Sequence, residues 1–187
     1  MEAIVNLFQS IYPLSDQFVK ALAERLHTKE VKKKQLLLKE GQIAQEIYFI
    51  HKGYFKSFYK KDALEITQWF MKPGDIIIAV NSFYKRVPSY EYIQCINDAE
   101  ISYISHDDLD YLYNHFIEFN FIGRVLTEKY YILSEERLLG LRKLKAEERY
   151  HLFQKNNNDL LNHVSLTDIA SYLGISLETL SRIRGKK

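Results

Sequence analysis

The spacing of apolar residues along the chain changes twice. Residues 1–28 have apolar positions at helical spacing, and the residues predicted to share one face are Phe18, Leu22 and Leu26. From residue 29 to about residue 105, the pattern becomes a series of short alternating or β-rich runs. Glycines interrupt these runs at predicted turns, at Gly41, Gly53 and Pro73–Gly74. Many short strands at close spacing predict a sandwich or barrel-like β unit.

The helical period returns at Asp107 and continues to about Gly140. The broad apolar stripe of this predicted helix comprises Ile122, Val125, Leu126, Ile132 and Leu133. A partial heptad accompanies it at positions 118, 125, 132 and 139. Because so long a helix needs more partner surface than a small β unit offers on one side, we predict a homodimer formed through this stripe. The alternative is a helix that packs only on its own domain.

The segment from residue 166 to residue 185 has the pattern of two short helices joined by a tight turn. Ser165 and Asp168 form a Ser-x-x-Asp start signal, and Gly174 suits the positive φ of the turn. Ser176 can cap the second helix, which we predict over residues 177–186. The apolar residues predicted to join the two helices are Ile169, Leu173, Ile175, Leu180 and Ile183. The combination predicts a helix-turn-helix, and the alternative is a helical hairpin with a charged surface.

The outer face of the second helix carries side chains suited to reading DNA. At about 100° per residue, Glu178, Ser181 and Arg182 cluster opposite the apolar contacts. Arg182 could offer two donors to a guanine edge, a contact worth about 1–3 kcal/mol of discrimination. Glu178 could accept from a cytosine amino group, and Ser181 could contact a base or a phosphate. The residues predicted to contact phosphates are Thr179, Arg184, Lys186 and Lys187.

The distribution of charge agrees with a polyanion-binding C-terminal end. Residues 137–187 contain ten Lys and Arg against five Asp and Glu, whereas residues 1–136 contain 16 against 19. A basic end on a mildly acidic body favours binding to nucleic acid, although a solvated helical surface is the simpler explanation of the charge alone.

Several classes of protein are excluded or unsupported. No apolar run approaches the roughly 20 residues of a bilayer span, and the N-terminus lacks the layout of a secretion signal. We therefore predict a cytoplasmic protein without a membrane partner. Cys95 is the only cysteine, which excludes an internal disulfide and a four-cysteine iron–sulfur cluster. The six histidines form no ligand pair and no enzyme signature is present, so no metal, cofactor or catalytic residue is predicted.

The order of these parts resembles the CRP/FNR (catabolite-activator-like) family of bacterial transcription regulators. The turn glycines and the Gly74–Asp75 pair fall where that family's effector domain has them, and DIASYLGISLETLSRIR is similar to its DNA-binding signature. The resemblance implies an α+β fold with a β-roll or jelly-roll, cyclic-nucleotide-binding-like domain over residues 1–106. A connecting and dimerisation helix over 107–140 and a winged-helix-like DNA-binding domain over 141–187 would follow.

The same resemblance implies partners. They are double-stranded DNA with a two-fold symmetric site, a second copy of the chain, and RNA polymerase. Half-sites would lie about one helical turn apart, ~34 Å. Glu178 and Arg182 match the family's base-contacting residues. Because the chain stops two residues after Gly185, the family's β-wing is predicted to be missing.

The resemblance also places an effector pocket in KPGDIIIAVNSFYKRVPSYEYIQ. The candidate pocket residues are Ala79, Asn81, Ser82, Lys85, Arg86 and Ser89. Ala79 stands where cyclic-nucleotide-binding relatives have a glutamate for the ribose, and Ser89 stands where they have an arginine for the phosphate. Neither side chain can replace those contacts, so we do not expect cyclic AMP binding, and the effector is unidentified or absent. Lys85 and Arg86, with Glu91 beyond them, are either a shifted anion site or solvated loop charges.

Two other functions stay open at this point. One is a small-molecule sensor, for example of a nucleotide, or a protein-interaction module that regulates without reading bases. The other is an enzyme on a jelly-roll barrel, which would need a metal-binding histidine cluster that the sequence does not show.

Overall fold

The computed structural model describes residues 1–62 and 64–185. Its helices are α1 (Glu2–Ile11), α2 (Asp16–Arg25), α3 (Val80–Lys85), α4 (His106–His115), α5 (Ile117–Lys143), α6 (Ala146–Asn156), α7 (Leu166–Leu173) and α8 (Leu177–Arg184), with a 3-10 turn at Leu160–Asn162. Its strands are β1 (His27–Val31), β2 (Leu36–Leu38), β3 (Glu46–Lys52), β4 (Phe55–Lys61), β5 (Leu64–Met71), β6 (Ile76–Ile77), β7 (Tyr92–Cys95) and β8 (Ala99–Ser105). Among the described residues, no helix combines the length and apolarity that crossing a membrane would require.

The strands form two antiparallel sheets of four. One sheet has the order β1-β8-β3-β6, and the other has the order β2-β7-β4-β5. Inward-facing residues of both sheets enter one hydrophobic cluster together with residues of α1, α2, α4 and α5. Its fully buried members include Phe18, Ile50, Phe55, Ile93 and Ile101. The predicted α+β fold with an N-terminal β-roll and C-terminal helices is confirmed.

The turn between β5 and β6 is built by the Pro73–Gly74–Asp75 sequence. Gly74 has φ +89°, a conformation that side chains with a Cβ rarely adopt. Its N–H donates to Ile50 O at 2.9 Å, and the Asp75 carboxylate accepts from Lys72 N at 3.0 Å. These bonds attach the turn to β3 and direct the chain into the short strand β6.

The segment after this turn differs from the sequence prediction. Within the predicted β-rich region, the apolar run over residues 75–80 is a strand only at Ile76–Ile77, and the chain then forms the helix α3. The reason is the Ser82 hydroxyl, which accepts from Ala44 N at 2.9 Å and donates to Val87 O at 2.6 Å. These side-chain bonds stabilise a compact turn of helix where a continued strand would leave the serine unpaired.

The single helix predicted over residues 107–140 is two helices, α4 and α5. Phe116 interrupts the helical path with an extended backbone, and its ring meets Phe18 edge-on at 5.5 Å between centroids. Gly123 allows the two helices to approach closely, because a Cβ there would lie 2.3 Å from the Tyr113 hydroxyl. Aromatic packing between distant segments therefore bends a stretch that has continuous helical periodicity.

A second hydrophobic cluster holds the C-terminal helices. It contains Tyr150, Phe153, Leu160, Ile169, Ala170, Leu173 and Leu180, and Tyr54 and Phe70 of the β-roll pack against it. Helix α7 lies against β5, the edge strand of its sheet. The C-terminal helices thus cover an edge that would otherwise expose unpaired backbone groups.

Candidate nucleic-acid interface and ligand cavity

Helices α7 and α8 form the predicted helix-turn-helix, and local bonds define both starts. The Ser165 hydroxyl accepts from Asp168 N at 3.0 Å, and the Ser176 hydroxyl accepts from Thr179 N at 3.1 Å. Gly174 ends α7 with φ +64°. The Ile175 N–H then donates to Ala170 O at 3.0 Å, which closes the turn between the helices.

The exposed face of α8 carries the predicted base-reading residues. Glu178, Ser181 and Arg182 are exposed, whereas Leu180 on the opposite side is fully buried. Arg182 makes no hydrogen bond or ion pair with any described residue, so its guanidinium donors are available to a partner. This face is the arrangement that a recognition helix requires.

The predicted phosphate-contacting residues differ in their placement. Arg184 is exposed at the end of α8. Thr179 is half-buried, and its hydroxyl lies 3.0 Å from the Ser176 hydroxyl, so part of its hydrogen-bonding capacity is used in the cap. Lys186 and Lys187 lie outside the described residues.

A buried lysine joins this helix pair to the β-roll. Lys56 on β4 is only 7% exposed, and its Nζ donates to Asp168 Oδ1 at 2.7 Å and to Glu65 Oε2 at 2.9 Å. These bonds favour the charged lysine and raise its pKa, although desolvation by burial acts in the opposite direction and is the largest single influence. Sequence reasoning missed this contact, for which the only sequence signal was a lysine within a β-rich run.

Further contacts of α7 with the rest of the chain lie on both sides of this ion pair. The Thr67 backbone N–H donates to the Ser171 hydroxyl at 2.9 Å. On α5, Arg137 donates to Tyr172 O at 3.0 Å and lies 3.8 Å from the centre of the Tyr172 ring. The ring of Phe70 meets that of Tyr172 at 5.2 Å. Helix α7 is therefore in contact with both the β-roll and the long helix α5.

A cavity of about 890 Å³ lies between the β-roll, α5 and the C-terminal helices. That volume falls within the usual range for a small-molecule site. The β-roll contributes Ser57, Trp69, Tyr90 and Glu91 to its lining, α5 contributes Tyr130, Ser134 and Arg137, and the C-terminal helices contribute Arg149, Phe153 and Tyr172. Among the residues predicted for the effector pocket, Asn81 and Lys85 line this cavity.

The other predicted pocket residues are occupied elsewhere. Arg86 is neither an anion ligand nor a solvated charge, because its guanidinium donates to Ala44 O at 2.7 Å, to Phe83 O at 3.2 Å and to the Gln45 side chain. Its backbone is left-handed, with φ +54°. Ser89 is buried, and its hydroxyl donates to Glu91 O and accepts from Glu91 N, each at 3.0 Å. Ser82 is likewise used in loop bonds, and Ala79 is buried.

Glu91 is the buried acid of the cavity. Only 7% of its surface is exposed, and no Lys, Arg or His of the described residues lies within ion-pair distance of its carboxylate. Desolvation raises the pKa of Glu91 to about 7, and the neighbouring Ser57 hydroxyl opposes part of that rise. Sequence reasoning placed Glu91 beyond Lys85 and Arg86 in a possible shifted anion site and did not identify it as the buried acid of a cavity.

The predicted dimer stripe on α5 requires correction. Ile122 is fully buried in the first hydrophobic cluster, and Leu126 packs against that cluster, so both face the chain's own β-roll. Leu133 lines the cavity, Val125 is half-buried and Ile132 is exposed. A second group of apolar residues is exposed and, at about 100° per residue, shares another side of α5: Ile117, Phe121, Ile132 and Leu139. The predicted stripe therefore spans two sides of α5. One side packs on the β-roll, and the other is exposed.

Comparison with known proteins agrees with this architecture. Residues 28–116 match the cyclic nucleotide-binding domain family. The chain is 29% identical over 171 residues to the anaerobic regulatory protein of Haemophilus influenzae, covering 84% of this chain. The chain spans 65% of that relative's length.

Solved structures share the fold at lower identity. FixK2 from Bradyrhizobium japonicum is 21% identical, with a TM-score of 0.72 over 86% of this chain and 83% of that chain. A protein from Eubacterium rectale, described as a transcriptional regulator of the CRP/FNR family, is 15% identical, with a TM-score of 0.75 over 95% of this chain and 85% of that chain. The relatives named among the curated proteins are regulatory proteins.

Proposed function

We propose that the chain is a transcription regulator of the CRP/FNR type that binds double-stranded DNA through α7 and α8. The observation that carries the proposal is the exposed face of α8. Glu178, Ser181 and Arg182 point away from the hydrophobic contacts, and Arg182 has no partner among the described residues. We propose no catalytic role for the chain. We also propose that it binds DNA in the cytoplasm.

The regulator would act as a homodimer through the free side of α5. Ile117, Phe121, Ile132 and Leu139 are exposed apolar residues along one side of this 27-residue helix. A second copy of the helix would remove them from water. The two recognition helices would then read two half-sites related by two-fold symmetry, about 34 Å apart.

The proposed division of the chain follows the two hydrophobic clusters. Residues 1–106 would form the effector domain, 107–140 the connection and dimer contact, and 141–187 the DNA-binding domain. RNA polymerase would be a further partner.

Cyclic AMP would not be the effector. Ala79 offers no acceptor to a ribose, the Ser89 hydroxyl is already bonded within its own turn, and the cavity presents a buried carboxylate at Glu91. A cyclic phosphate would meet negative charge and find no free arginine at the loop.

The cavity also favours a second candidate, a small-molecule sensor that regulates without reading bases. Its volume of about 890 Å³ and its contact with both the β-roll and α7 suit either function. The two candidates differ in what Arg182 does.

Selection of DNA sites from random sequence tests the proposal. We expect the wild-type protein to enrich a two-fold symmetric site and to lose affinity steeply as salt rises. Arg182→Ala should lower the preference for the selected site by about 10- to 100-fold, because one bidentate base contact is worth about 1–3 kcal/mol. Arg184→Ala should weaken binding to all sequences about equally.

Lys20→Ala, a change at an exposed lysine of α2, is the matched control and should select the same site as the wild type. Equally weak binding to every sequence would contradict the regulator and favour the sensor. Enrichment of a single unpaired half-site would contradict the homodimer.

A further inference from the structure

The cavity places one buried acid among groups that do not neutralise it. Glu91 immediately precedes β7, and Ile93, two residues later, pairs with Ser57 of β4, which in turn pairs with Trp69 of β5. All four residues line the cavity. The acid therefore lies near the Ser57 hydroxyl, on the sheet face that also carries the Trp69 indole ring.

Two arginines of the same cavity are held by contacts within the protein. Arg137 donates to Tyr172 O and stacks on the Tyr172 ring at 3.8 Å, and Arg149 donates to Leu144 O at 2.8 Å. Each of these contacts joins two helices or closes the start of one. Glu91 makes no corresponding ion pair with any described residue.

An isolated buried carboxylate is costly unless a cation or donor reaches it. The aromatic residues of the cavity can also contribute to binding a cation, since the faces of Trp and Tyr rings attract cations. Those that line the cavity include Trp69, Tyr84, Tyr90 and Tyr130. An anionic ligand would face like charge at Glu91, and a purely apolar ligand would leave the carboxylate without a partner.

We propose that the effector is an organic cation, a ligand with a protonated amine that pairs with Glu91 and an apolar body that packs on Trp69 and its aromatic neighbours. This inference rests on the proposed function only in calling the ligand an effector. The site itself follows from the cavity, the burial of Glu91 and the absence of a cationic partner among the described residues.

The position of the site connects it to the DNA-binding helices. Trp69 is adjacent to Phe70, which packs on Tyr172 of α7, and Trp69 itself lies 5.6 Å from the Arg137 guanidinium. A ligand held between Glu91 and Trp69 therefore touches the strand on which α7 rests.

Trp69 provides the measurement, because it is the only tryptophan of the chain. Its fluorescence would be titrated with three probes of similar shape: phenethylamine, phenethyl alcohol and phenylacetate. We expect phenethylamine to bind at least about tenfold more tightly than the alcohol, a difference of about 1.4 kcal/mol. Phenylacetate should bind more weakly than both.

Glu91→Gln keeps the shape of the side chain and removes the charge, so it should reduce the affinity for phenethylamine about tenfold without changing that for the alcohol. Glu136→Gln removes another carboxylate of the same cavity and should retain the preference for the amine. Absence of phenethylamine binding, tighter binding of phenylacetate, or an unchanged amine affinity in Glu91→Gln would each overturn the proposal.

The wild-type and variant proteins also allow this inference and the proposed function to be tested independently. Binding of phenethylamine through Glu91 by a protein that selects no DNA site would support the cation site and contradict the regulator. Selection of a DNA site by a protein whose Trp69 fluorescence responds only to phenylacetate would support the regulator and overturn the cation site.

Discussion

The proposed recognition helix α8 and the segment from Ala79 to Glu91 each present an arginine close to serine residues, yet the two arginines have different surroundings. Arg182 is exposed and has no partner among the described residues. Arg86 is held in the left-handed region and donates to the carbonyls of Ala44 and Phe83. One side chain is available to a partner, and the other fixes a loop.

The difference shows that the role of a polar side chain depends on where its hydrogen-bond partners lie. In α8 the serine cap is bonded within three residues, which leaves the outer face unoccupied. In the 79–91 segment the serine and arginine side chains reach backbone groups up to 42 residues away. A loop with the composition of a binding site can therefore be a structural support, while the proposed ligand-binding carboxylate is the neighbouring Glu91.

The largest expected effect comes from the ion pair that joins β4 to α7, the helix that precedes α8. Lys56→Ala would leave the partly buried Asp168 carboxylate without its cation, and we expect a loss of about 3–4 kcal/mol in the free energy of unfolding. Urea denaturation measures this loss. The neighbouring exposed Lys60 is the matched control, since Lys60→Ala should change stability by no more than about 0.5 kcal/mol.

Equal effects of Lys56→Ala and Lys60→Ala would mean that α7 does not depend on this ion pair to contact the β-roll. In that case, this ion pair would not link the proposed DNA-binding helices to the proposed ligand-binding region of the β-roll.

A smaller effect, dependent on pH, is expected at Glu91. Because the folded protein raises the pKa of this carboxyl from 4.5 to about 7, the folded state binds more protons than the unfolded state between those values. The free energy of unfolding of the wild type should therefore fall as pH rises through that interval. Glu91→Gln avoids this loss and should be more stable than the wild type by about 2–3 kcal/mol at pH 8.

The two proteins should approach equal stability near pH 4.5, where the folded carboxyl is protonated. Unfolding measured at several pH values checks the trend. The other charged residues of the cavity are the same in both proteins: Lys72, Asp75, Lys85, Glu136, Arg137 and Arg149. A difference in stability that does not vary with pH would show that the carboxyl of Glu91 is not desolvated.

The smallest expected effect is obtained by comparing substitutions of the two arginines, Arg86 and Arg182. Arg86→Ala removes charge-assisted bonds to two carbonyls and should lower the free energy of unfolding by about 1.5–2 kcal/mol. Lys85→Ala and Arg182→Ala should each change it by less than about 0.5 kcal/mol, because both residues are exposed. Thermal unfolding of the three variants under one condition is sufficient. If the Arg86→Ala protein were as stable as the Lys85→Ala protein, Arg86 would be a solvated charge and not a structural residue of the loop.

The helix-turn-helix was predictable because the interactions that define it are local. Ser165, Gly174 and Ser176 act through bonds to residues at most four positions away, and the alternation of Leu180 with exposed neighbours follows from helical periodicity alone. The break at Phe116 and the helix at Val80–Lys85 were not predictable, because each depends on a partner distant in sequence, Phe18 in one case and Ala44 in the other.

The sequence by itself determined the order of the parts, the caps and turn of α7 and α8, and the side of α8 that faces away from its hydrophobic contacts. Only the tertiary structure decided that Arg86 fixes a loop, that Lys56 meets Asp168 across 112 residues of chain, and that Glu91 is buried without a cationic partner among the described residues. The physical reason is that caps and periodicity act within a few residues. Desolvation and ion pairing depend instead on which distant surfaces meet.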